Sequence, residues 1–451
     1  MARRRDLTTG AGCIDCEPMN TDMREIAKQL TVATGRAIYL GGIPEADDPK
    51  LKALTAEGLK AMQKRKWDKA ISLFRKALDH VGRSASSGAL HYLIGVCHFI
   101  PCRWQQALDS FGEAARLADE FGDKPGKVNA LNFMGSICTS TGELDKAEKY
   151  LKGALAAARE MEDRDSEARA MSNLGLVYRD KGEMDKAMEC FGLALAKARE
   201  AANPLVQANA LMNAGQALII TGELDDAQDN LEQARTLYRE VGFQSGEAAV
   251  CGGIAMIHQD RGDLEGAHGY YEKALDIHRK TGSQHGVAAA LNNIGLVYSD
   301  KGEPVTALRY FREALAIARQ IGDPLVEANN TGCIGLALQG MGKPDQALQY
   351  MEGSLAIARK LGNPEAQANN LCNIGIIHAT QGETNKALRC LLESRQMFLT
   401  LGAAPSVERT TLNLGRLLRQ MGRERFVAEC AEAGMTREGA NQLAYALAQP
   451  V

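Results

Sequence analysis

Apolar and polar positions repeat along this chain with a period of 40 residues. Gly135, Gly175, Gly215, Gly295, Gly335, Gly375 and Gly415 fall on one register, Gly95 extends it backwards, and Ala255 fills its one gap. Twelve residues after each stands an alanine, from Ala107 through Ala147, Ala187, Ala227, Ala267, Ala307 and Ala347 to Ala387, with Val427 in the last copy. An offset first copy holds Gly58 and Ala70. Ten copies thus run from about residue 51 to 431.

Each copy predicts two amphipathic helices. Met171, Leu174, Gly175 and Tyr178 sit at i, i+3, i+4 and i+7, and Gly182 suits the left-handed position past a helix end. A second helix starts near Met184 and carries Ala187, Phe191, Ala194 and Leu195 on one face. Pro304 and Pro344 share the register of Met184, where a first-turn proline is tolerated. Pro204, Pro324 and Pro364 share the register between copies, where a helix must not continue. Small residues at Gly175 and Ala187 let the two helices pack closely. One copy cannot bury its face alone, so neighbours must stack.

The ends differ from the array. Residues 1–20 are polar and predict a disordered tail. Met23, Ile26, Leu30 and Ala33 follow a Thr21 cap at helical spacing, predicting an N-terminal helix over 21–40, with 41–50 as a linker. After the array at 51–431, residues 432–451 supply a closing helix, from Thr436 to Gln449.

The series Met171, Leu174, Gly175, Tyr178, Ala187, Phe191, Ala194 returns as Leu291, Ile294, Gly295, Tyr298, Ala307, Phe311, Ala314. It resembles the motif of the tetratricopeptide repeat over about 380 of the 451 residues. The resemblance implies an all-α fold: a right-handed α-α superhelical solenoid of about ten helix pairs with terminal capping helices. The period exceeds the family's usual length of about 34 residues. This longer form is similar to the repeats of Pins-type spindle-orientation adaptors and kinesin light chains.

Composition narrows the function classes. Hydrophobic residues make up 45% and aromatics 5%, so the core is built mostly from Ala and Leu. No apolar run approaches the length of a membrane-spanning helix. Basic and acidic residues number 53 and 56, and the net charge of -3 argues against nucleic acid as a default partner. Arg3 to Arg5 are followed by no apolar stretch, so no secretory signal is expected. Eleven scattered cysteines then read as reduced thiols, and the expected location is cytoplasmic.

Catalytic signatures are absent: the sequence holds no GxxxxGK[ST], HExxH or GxSxG, so no enzyme and no cofactor are expected. Cys13 and Cys16 have the spacing of half a zinc site or a redox pair, but no second pair completes it. Two incidental thiols in a tail are the stronger reading, and no metal is expected. His258 and His378 occupy the register of Tyr178 and read as half-buried packing residues. Arg159, Arg199, Arg239, Arg279, Arg319 and Arg359 recur near the end of each second helix, where a cation complements the helix dipole.

The informative stripe lies on the first helix, opposite its packing side. Arg169, Asn173, Leu176 and Asp180 cluster there. The register of Asn173 also holds Asn213, Asn293, Asn373 and Asn413, and that of Arg169 holds Asn129, Asn209, Asn329, Asn369 and Arg409. The family resemblance implies that this face lines a concave groove. Asparagine is a mediocre helix former, so its recurrence in mid-helix asks for a reason. A ladder of amides can bond the backbone of an extended peptide, or it can join neighbouring helices and set the superhelix. Both readings stand.

Charge along the face varies, with Arg179 beside Arg169, Asp260 and Asp300 in the middle, and Arg409, Arg416 and Arg419 at the C-terminal end. Ala249, Gly252 and Gly253 leave one copy bare, as a notch for a bulky partner residue or a flexible point. Pins-type repeats carry a second asparagine after the motif glycine. This chain holds Ser136, Leu176, Gln216, Met256, Leu296, Leu336, Ile376 and Arg416 there, a greasier groove. The groove lysines with which chaperone-binding repeats clamp a terminal carboxylate are also missing from this face from Asn129 onward. The expected function is a non-catalytic protein–protein interaction scaffold or adaptor that binds an extended peptide or helix. A self-assembling array forming homo-oligomers is the alternative. Nucleic acid and membrane insertion are not expected.

Overall fold

In a computed structural model of the chain, the described residues are 49–64, 66–101 and 103–448. The tail, the N-terminal helix and most of the linker expected from the sequence, with Cys13 and Cys16, lie outside them. The described chain is helical without any strand and divides into two units, 49–283 and 284–448.

The first unit holds α1 (Pro49–Gln63), α2 (Trp67–Val81), α3 (Ala85–Phe99), α4 (Trp104–Glu120), α5 (Lys124–Ser140), α6 (Leu144–Glu160), α7 (Arg164–Asp180), α8 (Met184–Glu200), α9 (Pro204–Thr221), α10 (Leu224–Glu240), α11 (Gln244–Asp260) and α12 (Leu264–Thr281). The second holds α13 (Gln284–Asp300), α14 (Pro304–Ile321), α15 (Pro324–Gly340), α16 (Pro344–Lys360), α17 (Pro364–Thr380), α18 (Thr384–Leu401), α19 (Ala404–Met421), α20 (Arg423–Glu432) and α21 (Arg437–Ala448). Within each unit the odd-numbered helix of a pair packs on the even-numbered one that follows, and each pair packs on the next.

The motif glycine is a packing requirement. A Cβ on Gly175 would stand 2.4 Å from Phe191 Cε1, and one on Gly295 2.5 Å from Phe311 Cε1. The large side chain sixteen residues after the glycine therefore rests directly on the first helix's backbone. The paired alanines Ala187 and Ala307 are fully buried beside it. Gly182 ends α7 at φ 78°, the left-handed position expected of it.

Pro204, Pro324 and Pro364 do not lie between copies, as the sequence suggested. They open α9, α15 and α17, because the side chains of Asn203, Asp323 and Asn363 cap the helix one residue earlier and the missing proline N–H is one the cap leaves free. The recurring arginines likewise do more than face a helix end. Arg239 bonds Glu247 and Arg319 Nε donates to Glu327 Oε1 at 2.8 Å, in each case on the next first helix. At the opposite edge Lys181 Nζ reaches back to Asp145 at 2.7 Å and Glu148 at 2.6 Å. Such ion pairs clip successive copies together at both ends of their helices.

The last pair departs from the pattern. α20 is only 10 residues long, so Gly415 meets no large side chain from it, and Leu447 of α21 lies 3.7–4.0 Å from the position of a Cβ there. Ala440 and Ala444 of α21 are buried in one cluster with Leu414, Leu417 and Leu418. The closing helix thus supplies the cover that a further copy would have given.

Candidate functional site

The first helices of successive copies lie side by side within each unit. Their exposed strip is narrower than the helical wheel suggested. In α7, Ser166, Glu167, Ala168, Ala170 and Ser172 are buried besides Met171, Leu174 and Gly175, since both neighbouring first helices close on its flanks. Arg169, Asn173, Leu176 and Arg179 keep partial exposure, and Asp180 is exposed.

Much of this strip is already engaged in the unit 49–283. Asn173 Nδ2 donates to Asn132 Oδ1 at 3.4 Å, and Asn213 Nδ2, 6% exposed, donates to Ser172 Oγ at 3.1 Å. Each donor lies 41 residues after its acceptor, on the next first helix. Asn209 Oδ1 accepts from the Tyr238 hydroxyl at 2.6 Å. Arg169, its side chain 16% exposed, pairs with Asp165, and Arg179 pairs with Asp180. Burial pushes the Arg169 guanidinium down to about 10, against the pull of Asp163. Asn129 is half-buried, with no side-chain hydrogen bond among the described residues. The bare copy splits in two: a Cβ on Gly252 would face open space, whereas one on Gly253 would stand 3.0 Å from Leu231 Cδ1.

The unit 284–448 differs. Asn413 Nδ2 contacts Cys372 Sγ at 3.8 Å, again 41 residues back, and Arg409 donates to Asn369 Oδ1 at 2.7 Å. Asn293, Asn329 and Asn373 make no side-chain hydrogen bond among the described residues. For Asn373 the reason is plain, because position 332 is a glycine and offers no acceptor. Beside these amides run Leu296, Leu336 and Ile376, and Leu336 is 44% exposed. At the far end Arg416 and Arg419 are exposed and have no carboxylate partner among the described residues.

The acceptors Asn132, Ser172 and Cys372 and the hydroxyl of Tyr238 were missed in the sequence. For Asn173, Asn213 and Asn413 a polar or sulfur-bearing residue 41 places earlier was the signal, whereas the Tyr238 hydroxyl, 29 places after Asn209, had none. His258 and His378 turn out to be tied as well as packed, with Nδ1 at 2.8 Å from Asp263 and 2.6 Å from Glu383. Among the described residues no group of His, Cys, Asp or Glu is placed to hold a metal ion. No helix among them is long and apolar enough to cross a membrane.

Comparison with known proteins agrees with this architecture. The tetratricopeptide repeat profile matches residues 86–160, 166–240, 246–320 and 326–400. Among curated proteins none matches the chain. Of solved structures, the apo form of the quorum sensor NprR from B. thuringiensis is similar over 77% of this chain and 98% of its own, at 14% identity and TM-score 0.55. Aspartyl phosphate phosphatase F from Bacillus subtilis is similar over 78% and 94%, at 14% identity and TM-score 0.51. A Rap protein complexed with competence and sporulation factor is similar over 74% and 98%, at 14% identity and TM-score 0.50. At these identities the likeness is one of fold. With four profile matches spanning most of its length, the chain belongs to the tetratricopeptide repeat family.

Proposed function

We propose that this chain is a non-catalytic protein–protein interaction scaffold that binds an extended peptide along the face of its first helices. One observation carries the reading: Asn293, Asn329 and Asn373 present amides that no internal bond uses among the described residues. An amide offers two N–H donors and a carbonyl acceptor, which match the backbone of an extended chain whatever its side chains. A solved protein of similar fold is complexed with competence and sporulation factor, and another is a quorum sensor, which is in keeping with such a role. The partner is a protein, held without cofactor or metal, and the expected location is the cytoplasm.

The test replaces Asn293, Asn329 and Asn373 together by alanine. Wild type and variant are compared by circular dichroism and by affinity capture from native lysate with mass spectrometry. Unchanged helicity with loss of a captured protein supports the reading, and identical captures refute it. Asn213 does not belong in this variant, since its amide joins two helices.

Self-assembly is the second reading, favoured by Ile321, Leu361, Leu399 and Leu401, exposed where second helices of the unit 284–448 end. Light scattering over a concentration series decides it: a constant monomer mass removes it.

A further inference from the structure

From the unit 284–448 we infer the class of peptide that this face takes: an extended segment carrying an apolar side chain and, about six residues away, an acidic one. The inference rests on the peptide-binding reading above and adds the ligand's chemistry. Leu336 on α15 is exposed between half-buried Leu296 and Ile376, a strip that gains from covering by an apolar side chain. Arg416 and Arg419 on α19 are exposed cations, without a carboxylate partner among the described residues. Arg416 donates only weakly at 3.4 Å to Asn413, a neutral amide on its own helix. The third arginine of α19, Arg409, is engaged by Asn369. Free positive charge on this face of the unit 284–448 therefore gathers at Arg416 and Arg419, where a guanidinium favours a carboxylate.

Geometry sets the spacing. Packed helices stand about 8–10 Å apart, and an extended chain advances about 3.3 Å per residue. Crossing one first helix to the next takes about three residues, and the two steps from α15 to α19 take about six. Asn373 on α17 lies midway and would hold the intervening backbone.

The experiment selects a phage-displayed library of random twelve-residue peptides on the full chain. Selection is repeated on Arg416→Glu/Arg419→Glu and on the triple alanine variant of Asn293, Asn329 and Asn373, with folding checked by circular dichroism. Should the double glutamate lower the melting temperature, Arg416→Gln/Arg419→Gln replaces it. Supporting results are enrichment of Asp or Glu five to seven places from a large apolar residue and retention about tenfold lower on the arginine variant. Clones that need the asparagines but are acid-free, or ignore the arginine change, overturn this inference and leave the peptide-binding reading standing. An absence of any clone dependent on the asparagines overturns both.

Discussion

Asn213 and Asn373 occupy the same register, yet their replacement by alanine is expected to shift stability in opposite directions. The Asn213 amide is buried and donates to Ser172 Oγ at 3.1 Å. Removing that donor forfeits about 0.5–1.5 kcal/mol for the bond and strands a buried hydroxyl. Alanine returns up to about 0.7 kcal/mol through its better helix propensity. The net loss should be about 1 kcal/mol. At Asn373 there is no bond to lose among the described residues, because Gly332 stands where an acceptor would be. Only the propensity change remains, and Asn373→Ala should gain about 0.5 kcal/mol. Urea unfolding followed by far-UV circular dichroism reads both, as opposite midpoint shifts at unchanged slope. Long arrays can lose all-or-none unfolding, so amide exchange in α9 and α17 provides the local check. If Asn373→Ala destabilises as much as Asn213→Ala, the whole register is structural and no amide is held ready for a ligand.

Three further outcomes follow from the packing and the charges. Gly175→Ala sets a Cβ 2.4 Å from Phe191 Cε1, so the ring must move, and a loss of about 1–3 kcal/mol is expected in thermal or urea unfolding. Asn292 Oδ1 is buried without a hydrogen-bond partner among the described residues, and Cys333 stands 41 residues after it, where Asn173, Asn213 and Asn413 carry donors. Cys333→Asn should therefore stabilise by about 0.5–1.5 kcal/mol, and an equal or lower urea midpoint would contradict the register rule. Lys152 and Lys181, with the Tyr178 hydroxyl, hold Glu148 down to about 2. A depressed carboxylate stabilises the fold above its unfolded value and loses that contribution as the pH falls toward 2. The deficit of Glu148→Gln against wild type should thus be full at neutral pH and shrink below about pH 4.5, which unfolding across a pH series measures.

The helices and their pairing were legible because a 40-residue period exposes every packing position many times over. Gly175 and Phe191 lie sixteen residues apart in the sequence, and their contact recurs as Gly295 on Phe311. The proline positions were misread because sequence alone placed the boundary between copies one residue late, past the capping side chains of Asn203, Asp323 and Asn363. The asparagine face was legible in outline only. A helical wheel says which residues share a side, but which amides remain free depends on a residue in the preceding copy. Asn213 and Asn373 look alike in their own helices and differ in what stands at 172 and 332, a serine and a glycine.

That dependence turns the ladder into a set of pairs. Asn132 with Asn173, Ser172 with Asn213, and Cys372 with Asn413 are complete, each with a donor and an acceptor on adjacent first helices. Two pairs of the unit 284–448 are broken: Gly332 leaves Asn373 without an acceptor, and Cys333 gives Asn292 no amide donor. A buried carbonyl oxygen left unbonded costs about 1–3 kcal/mol, and a mid-helix asparagine with nothing to bond costs several tenths more than alanine. An array selected for stability alone would complete the pairs or replace them with alanine. Neither has happened on the helices that also carry exposed Leu336 and lead to Arg416 and Arg419, which have no carboxylate partner among the described residues. On the proposed reading the unbonded amide of Asn373 is a broken rule that a ligand would satisfy, whereas the Asn292 oxygen is buried beyond a ligand's reach and can be satisfied only by a donor on the neighbouring helix, as at position 333.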